Sequence, residues 1–261
     1  ADEADEAAPA GDVTATYDCD FVVCGSGTTG LCAATRAAEL GAKVILVDVN
    51  TENGIGGNSR YVENIGNVAM GTDNALENVG AADHYYDGLA SYHRYASNTI
   101  VTRRYADDGE KVRSWTTDFQ GITYNEKGKY DHGEDGTSGG LNAIYTMYQL
   151  AQDLGVQFLF DARAYQLLTN EAGAVTGVLC KSRTGEITQV NAKAVDLCTG
   201  GFAANREMFE HYTNVPYDCV IPRGSMGTQR GDGLNMGLEL GALLHHPEAI
   251  NYCSWILPGH Y

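Results

Sequence analysis

The sequence predicts an α/β fold in which a parallel sheet with flanking helices is extended by a β-meander. The first observation is the stretch 17–48, where an apolar run, a glycine-rich turn, a helical pattern and a second apolar run follow one another. The second is a set of short strand patterns at 163–169, 174–182 and 186–190, separated by turn residues. The third is a strand pattern at 193–198 that runs into a second glycine turn and a helix. These features predict one α/β domain over residues 17–245.

The first glycine turn reads Gly-Ser-Gly-Thr-Thr-Gly over residues 25–30 and lies between the strand pattern and the helical pattern. Gly25 permits the tight turn, Gly27 leaves room for a pyrophosphate, and Gly30 lets the helix pack close to the strand. This spacing is the fingerprint of a Rossmann-like dinucleotide-binding fold.

Two further features support a dinucleotide. The N–H groups near Thr28 and Thr29, at the positive end of the helix dipole, are expected to face the phosphates. The second apolar run, Val44–Val47, ends on Asp48, eighteen residues past Gly30, where a carboxylate can accept hydrogen bonds from ribose hydroxyls. The fingerprint by itself does not separate NAD from FAD.

Composition and charge exclude several function classes. The formal net charge of −17 argues against nucleic acid or an anionic membrane as a partner, because phosphate groups would be repelled. No apolar run approaches the roughly 20 residues that span a bilayer. The seven cysteines form no C-x-x-C pair and no zinc or iron–sulfur spacing, so we expect no metal site.

The first residues, Ala-Asp-Glu-Ala-Asp-Glu, are acidic and of low complexity, and we expect residues 1–16 to form a disordered tail. The start at Ala1 without a Met fits the mature end of an exported protein, in the periplasm or cell envelope, after removal of a signal peptide. The alternative is a start chosen for expression, with a cytoplasmic location.

Five segments in order resemble the FAD-binding domain of the fumarate reductase-like flavoproteins, a superfamily that includes fumarate reductases, urocanate reductases and 3-ketosteroid dehydrogenases. The resemblance covers roughly residues 17–250. Its segments are the turn at 25–30, Gly56-Gly57-Asn58-Ser59, the 137–140 turn with its helix, Thr199-Gly200-Gly201-Phe202, and Gly231-Asp232-Gly233.

The resemblance implies a non-covalent FAD, because Ser59 is followed by Arg60 and Tyr61 where covalent relatives carry a His in this segment. It implies that the first turn holds the pyrophosphate, that residues 56–59 run towards the isoalloxazine, and that the backbone of Ala164 meets the adenine. The implied cofactor-binding residues are Gly25, Ser26, Gly27, Thr28, Thr29, Gly30, Asp48, Val49, Asn50, Gly56, Gly57, Asn58, Ser59, Ala164, Thr199, Gly200, Gly201 and Asp232.

The family normally continues into a capping domain that carries the general acid and most substrate-binding residues. The resemblance therefore implies that residues 246–261 begin such a domain, that the fold is truncated there, and that the catalytic residues lie elsewhere, for example on a second polypeptide. Cys253 stands roughly where fumarate reductases carry a substrate-binding His, which argues against fumarate as the substrate.

The function that the resemblance implies is an FAD-dependent oxidoreductase acting on a C–C bond next to a carbonyl or carboxylate. The reading we favour is a reductase of an unsaturated small molecule in anaerobic respiration. Its electron donor would be a cytochrome, an FMN domain or reduced flavin. A 3-ketosteroid-type dehydrogenase, a flavin-binding electron-transfer subunit and an NAD-dependent dehydrogenase are the alternatives.

Overall fold

A computed structural model describes residues 12–62, 83, 86–87, 98–125, 130–219 and 227–248. A six-stranded sheet forms its centre, with strand order β3-β2-β1-β6-β5-β4. The strands are β1 (Val13–Cys24), β2 (Val44–Val47), β3 (Gln157–Leu159), β4 (Arg163–Thr169), β5 (Val175–Lys181) and β6 (Ile187–Leu197). The mixed α/β fold that the sequence predicts is confirmed.

The sheet has a parallel half and an antiparallel half. Strand β1 pairs in parallel with β2 and β6, and β2 pairs in parallel with β3. Strand β5 runs antiparallel to both β4 and β6, which is the expected meander. Because β6 belongs to both halves, the meander is joined directly to the strand that carries the first glycine turn.

Five α-helices accompany the sheet in the described part of the chain. They are α1 (Thr28–Glu39), α2 (Thr99–Asp118), α3 (Gly139–Asp153), α4 (Arg206–Tyr212) and α5 (Asp232–Glu239). The scarcity of Gly and Pro and the regularly spaced apolar residues at 73–117 also predict a helical stretch there. Residues 99–117 belong to α2, and residues 73–82, 84–85 and 88–97 lie outside the described residues. Helix α2 begins where the Asn98 side chain accepts hydrogen bonds from the N–H groups of Ile100 and Val101, a typical N-cap.

Two apolar clusters lie on the two faces of the sheet. One joins the sheet to α1 and α3 through residues such as Val23, Leu31 and Ile144. The other runs along the opposite face, across the parallel strands and the meander strands, and joins them to α5 through residues such as Val22 and Met236. The neighbours Val22 and Val23 point to opposite faces, as the period-two geometry of a strand requires.

Two boundary expectations are wrong. Strand β1 begins at Val13, so residues 13–16 are not part of a tail; Thr16 pairs with Gln189 and Tyr17 with Val190. The separate strands expected at 186–190 and 193–198 are one strand, β6. Both differences have the same cause, because the long pairing of β1 with β6 satisfies the backbone of polar, half-exposed residues that carry little apolar signal.

Candidate functional site

A cleft of about 320 Å³ lies where β1, β2 and β6 end and where α1 begins. Ligands of open α/β sheets bind outside the carboxyl ends of parallel strands, and this cleft is in that position. The cofactor-binding residues predicted from sequence all line it, except Gly30, Gly56 and Gly201. Seven further residues, not predicted, also line it: Cys24, Val47, Ala162, Leu197, Cys198, Thr228 and Gln229.

Two glycines of the first turn are required by the packing of the protein itself. A Cβ at Gly25 would lie 2.3 Å from the carbonyl oxygen of Cys198, and its φ of +113° is unfavourable for other residues. A Cβ at Gly30 would lie 1.8 Å from the carbonyl oxygen of Gly25. Gly30 therefore shapes the turn from behind, which explains why it does not line the cleft.

Gly27 differs from both. Its φ of −64° suits any residue, and a Cβ there would meet only the Ser59 hydroxyl oxygen at 3.4 Å and the Gly56 carbonyl oxygen at 3.9 Å. The space beside Gly27 thus belongs to the cleft and is not taken by the protein. Gly27 is also the N-cap of α1, a helix with no acidic residue in its first turn, so the positive end of the helix dipole faces this space.

Asp48 is 5% exposed and ties three backbone segments together. Its Oδ2 accepts hydrogen bonds from the Ser26 N–H at 2.7 Å and the Ser26 hydroxyl at 2.6 Å, and its Oδ1 accepts one from the Asn50 N–H at 2.7 Å. The Ser26 hydroxyl in turn accepts a hydrogen bond from the Gly56 N–H at 3.0 Å. A carboxylate offers about four acceptor positions, so about one remains on Asp48 for a ligand hydroxyl.

The second glycine segment is held down by α3. A Cβ at Gly56, whose φ is +93°, would lie 2.7 Å from Cγ2 of Ile144, and one at Gly140 would lie 2.2 Å from the Val62 carbonyl oxygen. Gly56 is therefore a packing residue. Next to it, the Asn58 Oδ1 is buried and has no hydrogen-bond partner in the described part of the structure. A buried acceptor without a donor is costly, and Asn58 is one of the residues that line the cleft, so a ligand bound there would be the source of the missing donor.

One wall of the cleft is formed by the residues that follow the end of β6, by the start of β4 and by the start of α5. The Thr199 hydroxyl accepts a hydrogen bond from the Gly233 N–H at 2.9 Å. Gly201 lies behind this wall, where its carbonyl accepts from the Gly231 N–H at 3.1 Å. Ala164, only 5% exposed, and Asp232 complete the wall.

The thiols of Cys24 and Cys198, which line the cleft, are unreactive near neutral pH. Burial raises the pKa of the Cys198 thiol to about 12, with a further contribution from Asp196, and burial also raises the pKa of the Cys24 thiol. Both thiols therefore stay protonated near neutral pH and are poor nucleophiles. In the described residues, no group of three or more His, Cys, Asp or Glu side chains could hold a metal ion.

Of the seven lining residues that sequence reasoning missed, most had a detectable signal. Cys24, Val47, Leu197 and Cys198 are the last residues of strands or directly follow them, which is where ligands bind in such sheets. Thr228 and Gln229 belong to no motif and lie in a turn-rich segment, so nothing in the sequence marked them.

None of the helices described is both long and apolar enough to cross a bilayer.

Known proteins resemble this chain over most of its length. The family model of the FAD binding domain matches residues 20–260. A vinyl phenol reductase of Lactiplantibacillus plantarum is 34% identical over 230 residues, covering 85% of this chain and 46% of the relative. A probable fumarate reductase of Shewanella frigidimarina is 28% identical, covering 85% of this chain and 38% of the relative.

Among solved structures, a 3-ketosteroid-Δ4-(5α)-dehydrogenase of Rhodococcus jostii superposes with a TM-score of 0.78 at 21% identity, over 93% of this chain and 57% of the other. This likeness shows a shared fold. The chain spans less than half the length of the two curated relatives it matches.

Proposed function

The chain belongs to the FAD binding domain family, and on that premise we propose that FAD binds non-covalently in the cleft at the ends of β1, β2 and β6. We propose further that the chain serves an oxidoreductase acting on a C–C bond next to an activating group. The observation that carries the proposal is the unfilled space beside Gly27, at the unneutralised N-terminus of α1. A dinucleotide pyrophosphate suits this space in both shape and charge.

The residues present fit FAD on a second, independent ground. The Asn58 Oδ1 needs a hydrogen-bond donor, and a phosphate at neutral pH offers little beyond acceptors. The ribityl hydroxyls and the ring N–H of a flavin are donors. Asn58 would therefore bind the part of FAD that lies beyond the pyrophosphate, in the direction of the isoalloxazine.

In this arrangement, the Gly27 and Thr29 N–H groups would bind the pyrophosphate, because the N–H groups of Gly25, Ser26 and Thr28 already donate to the Val47 carbonyl, the Asp48 carboxylate and the Ser59 hydroxyl. The open acceptor position on Asp48 would bind the adenosine ribose. The backbone of Ala164 would bind the adenine, with Val49, Asn50, Thr199 and Gly200 around the adenosine. The buried bonds of Asp48 and Ser26 would hold this binding surface in place before the ligand arrives, which lowers the entropic cost of binding.

When bound, FAD supplies hydride transfer, while the chain supplies orientation and charge stabilisation. Among the described residues near the cleft, the Cys24 and Cys198 thiols are weak proton donors, because burial raises their pKa. We therefore assign the acid and the substrate-binding residues to a capping domain, on the same protein or on a second polypeptide. The substrate would be a small unsaturated molecule, as the names of the matched reductases suggest.

The proposal extends to an exported terminal reductase of anaerobic respiration, with a cytochrome, an FMN domain or reduced flavin as electron donor. Its support is the similarity to reductases of organic acceptors. Fractionation of the native cells tests the location, because a protein found wholly with the cytoplasmic markers would contradict export.

The first experiment is a visible absorption spectrum of the purified protein before and after heat denaturation and filtration. We expect a two-banded flavin spectrum that passes entirely into the filtrate. A colourless protein that also fails to bind added FAD would overturn the proposal, and flavin retained on the denatured chain would contradict non-covalent binding.

The second experiment identifies the reaction. The flavoprotein is reduced anaerobically and mixed with unsaturated carboxylic acids, a vinyl phenol, enones or steroids, and return of the oxidised flavin spectrum is followed. Reoxidation by one substrate class, with formation of the saturated product, supports the reductase function. If reoxidation occurs only when a second polypeptide is added, the chain is the flavin-binding part of a split enzyme.

A further inference from the structure

Several polar side chains of the cleft are already hydrogen-bonded within the protein, and Asn58 is assigned above to the flavin side of the ligand. Ser26, Asp48, Ser59, Thr199 and Asp232 already bond other parts of the protein. The Gln229 side chain also lines the cleft, but its amide has no hydrogen-bond partner among the residues that the structure describes. An amide carries two donor hydrogens and an acceptor oxygen, so its bonding capacity is available to a ligand.

The position of Gln229 is fixed by its backbone. Its carbonyl accepts a hydrogen bond from the Ala204 N–H at 2.9 Å, and the nearby Gly231 N–H donates to the Gly201 carbonyl at 3.1 Å. These bonds join the segment 227–231 to the segment 200–204. The backbone that carries the Gln229 amide is therefore hydrogen-bonded to a neighbouring segment at the edge of the cleft.

The side chain lies against Gly200. A Cβ built on Gly200 would be 3.1 Å from Nε2 of Gln229 and 3.6 Å from its Cδ and Cγ. Gly200 has a φ of +79°, so a glycine is favoured there for its backbone as well. A side chain at Gly200 would therefore crowd the Gln229 amide at this wall of the cleft.

We propose that Gln229 is a specificity-determining residue that hydrogen-bonds the adenosine half of FAD. This inference rests on the proposed function, which places the adenosine against Ala164, Thr199 and Gly200. Adenine and its ribose carry both donors and acceptors, which match an amide, whereas a phosphate matches only the amide N–H groups. Gln229 thus adds side-chain recognition to a pocket where the other adenosine contacts come mainly from backbone.

The test compares the wild-type protein with Gln229→Leu, which keeps the bulk of the side chain and removes the amide. FAD is titrated into flavin-free protein, and ADP, which holds the adenosine and pyrophosphate without the flavin, is measured by competition. We expect the Kd for both ligands to rise by about three- to tenfold, the effect of losing one neutral hydrogen bond. The thermal midpoint of the flavin-free protein should stay unchanged, because the amide bonds nothing in the described structure.

Gln166→Leu is the matched control, since Gln166 is exposed on β4 and does not line the cleft. Unchanged FAD affinity in Gln229→Leu would overturn the inference, as would weaker FAD binding with unchanged ADP binding. If the Leu variant lowers the thermal midpoint, Gln229→Ala is measured in its place, with the same losses expected. Failure of the wild-type protein to bind FAD would instead overturn the proposed function.

Discussion

Arg163 on β4 and Asp232 at the first turn of α5 form a bidentate ion pair at the edge of the cleft. The Arg163 Nε donates to Asp232 Oδ2 at 3.1 Å, and its Nη2 donates to Oδ1 at 2.7 Å. The two side chains are 28% and 12% exposed, so water screens the pair only in part. The pair joins β4 to α5 within one wall of the cleft and neutralises the charge of the Asp232 carboxylate, which lines the cleft.

Replacement of Arg163 by Met should destabilise the protein and weaken FAD binding together. The unpaired, largely buried Asp232 carboxylate should lower the free energy of unfolding by about 1–3 kcal/mol, as measured by urea denaturation. The exposed pair of Arg183 and Asp161, at 3.4 Å, is the control; Arg183→Met should cost less than about 0.5 kcal/mol. If both variants lose the same unfolding free energy, the Arg163–Asp232 pair stabilises the protein no more than an exposed ion pair does.

Substitution of Gly27 by Val should abolish FAD binding and leave the fold intact. The new side chain would enter the space assigned to the pyrophosphate, while the protein itself offers no clash closer than 3.4 Å to its Cβ. The measurement is FAD titration alongside circular dichroism. Gly237→Ala, inside α5 and with only Ala242 Cβ at 3.5 Å, is a control that should bind FAD normally. Stoichiometric FAD in Gly27→Val would show that the pyrophosphate lies elsewhere.

Replacement of Asn58 by Leu should weaken FAD binding without destabilising the flavin-free protein. Because the Asn58 Oδ1 is buried without a partner, its removal should leave the free energy of unfolding of the flavin-free protein unchanged or raise it by about 1 kcal/mol. FAD affinity should fall by about tenfold. Asn98→Ala supplies the contrast, because Asn98 caps α2 by accepting from the Ile100 and Val101 N–H groups and does not line the cleft; its loss should cost about 1 kcal/mol without affecting FAD. Tight FAD binding by Asn58→Leu would refute the assigned contact.

Replacement of Ser26 by Ala should weaken both the fold and FAD binding. The change removes a donor to Asp48 and leaves the Gly56 N–H without its acceptor in a fully buried site, at a cost of about 1–3 kcal/mol in unfolding free energy. Ser138→Ala is the control, because Ser138 is an exposed N-cap whose side chain makes no capping bond. Denaturant titration of both variants with and without FAD measures the two effects. If the Ser26→Ala protein is as stable as the control, the hydrogen bonds of the Ser26 hydroxyl to Asp48 and Gly56 contribute nothing to the free energy of unfolding.

Much of the cleft could be predicted because its determinants are local. Residues 25–30 encode the strand, turn and helix within one short window, and the glycines are required by contacts only a few ångströms away. The structure also distinguishes the glycines that line the cleft from those that are required only by packing. Gly30 packs against Gly25 within the same turn, in line with its predicted packing role, whereas Gly56 packs against Ile144, which is distant in the sequence, and only the structure reveals that contact.

The remaining features depend on contacts between distant segments, which one-dimensional patterns do not record. Strand residues 13–16 show weak apolar alternation and become ordered by pairing with β6, more than 170 residues away. Gln229 belongs to no motif and lies at the cleft because the Ala204 N–H donates to its carbonyl and the nearby Gly231 N–H donates to the Gly201 carbonyl. Asp48 was predicted from spacing, but its bonds to Ser26 and Asn50 follow from three-dimensional geometry.

The pairing of β1 with β6 also sets an order of assembly during synthesis. A ribosome makes the first glycine turn early, yet the wall of the cleft formed by Cys198, Thr199 and Gly200 emerges some 170 residues later. Because β1 is flanked on one side by β6, its backbone has an unpaired edge until that strand arrives. Such distant pairing is slow to form, so the nascent chain passes through a stage in which the exposed edge is open to mispairing. Binding of the dinucleotide can begin only after that stage has ended.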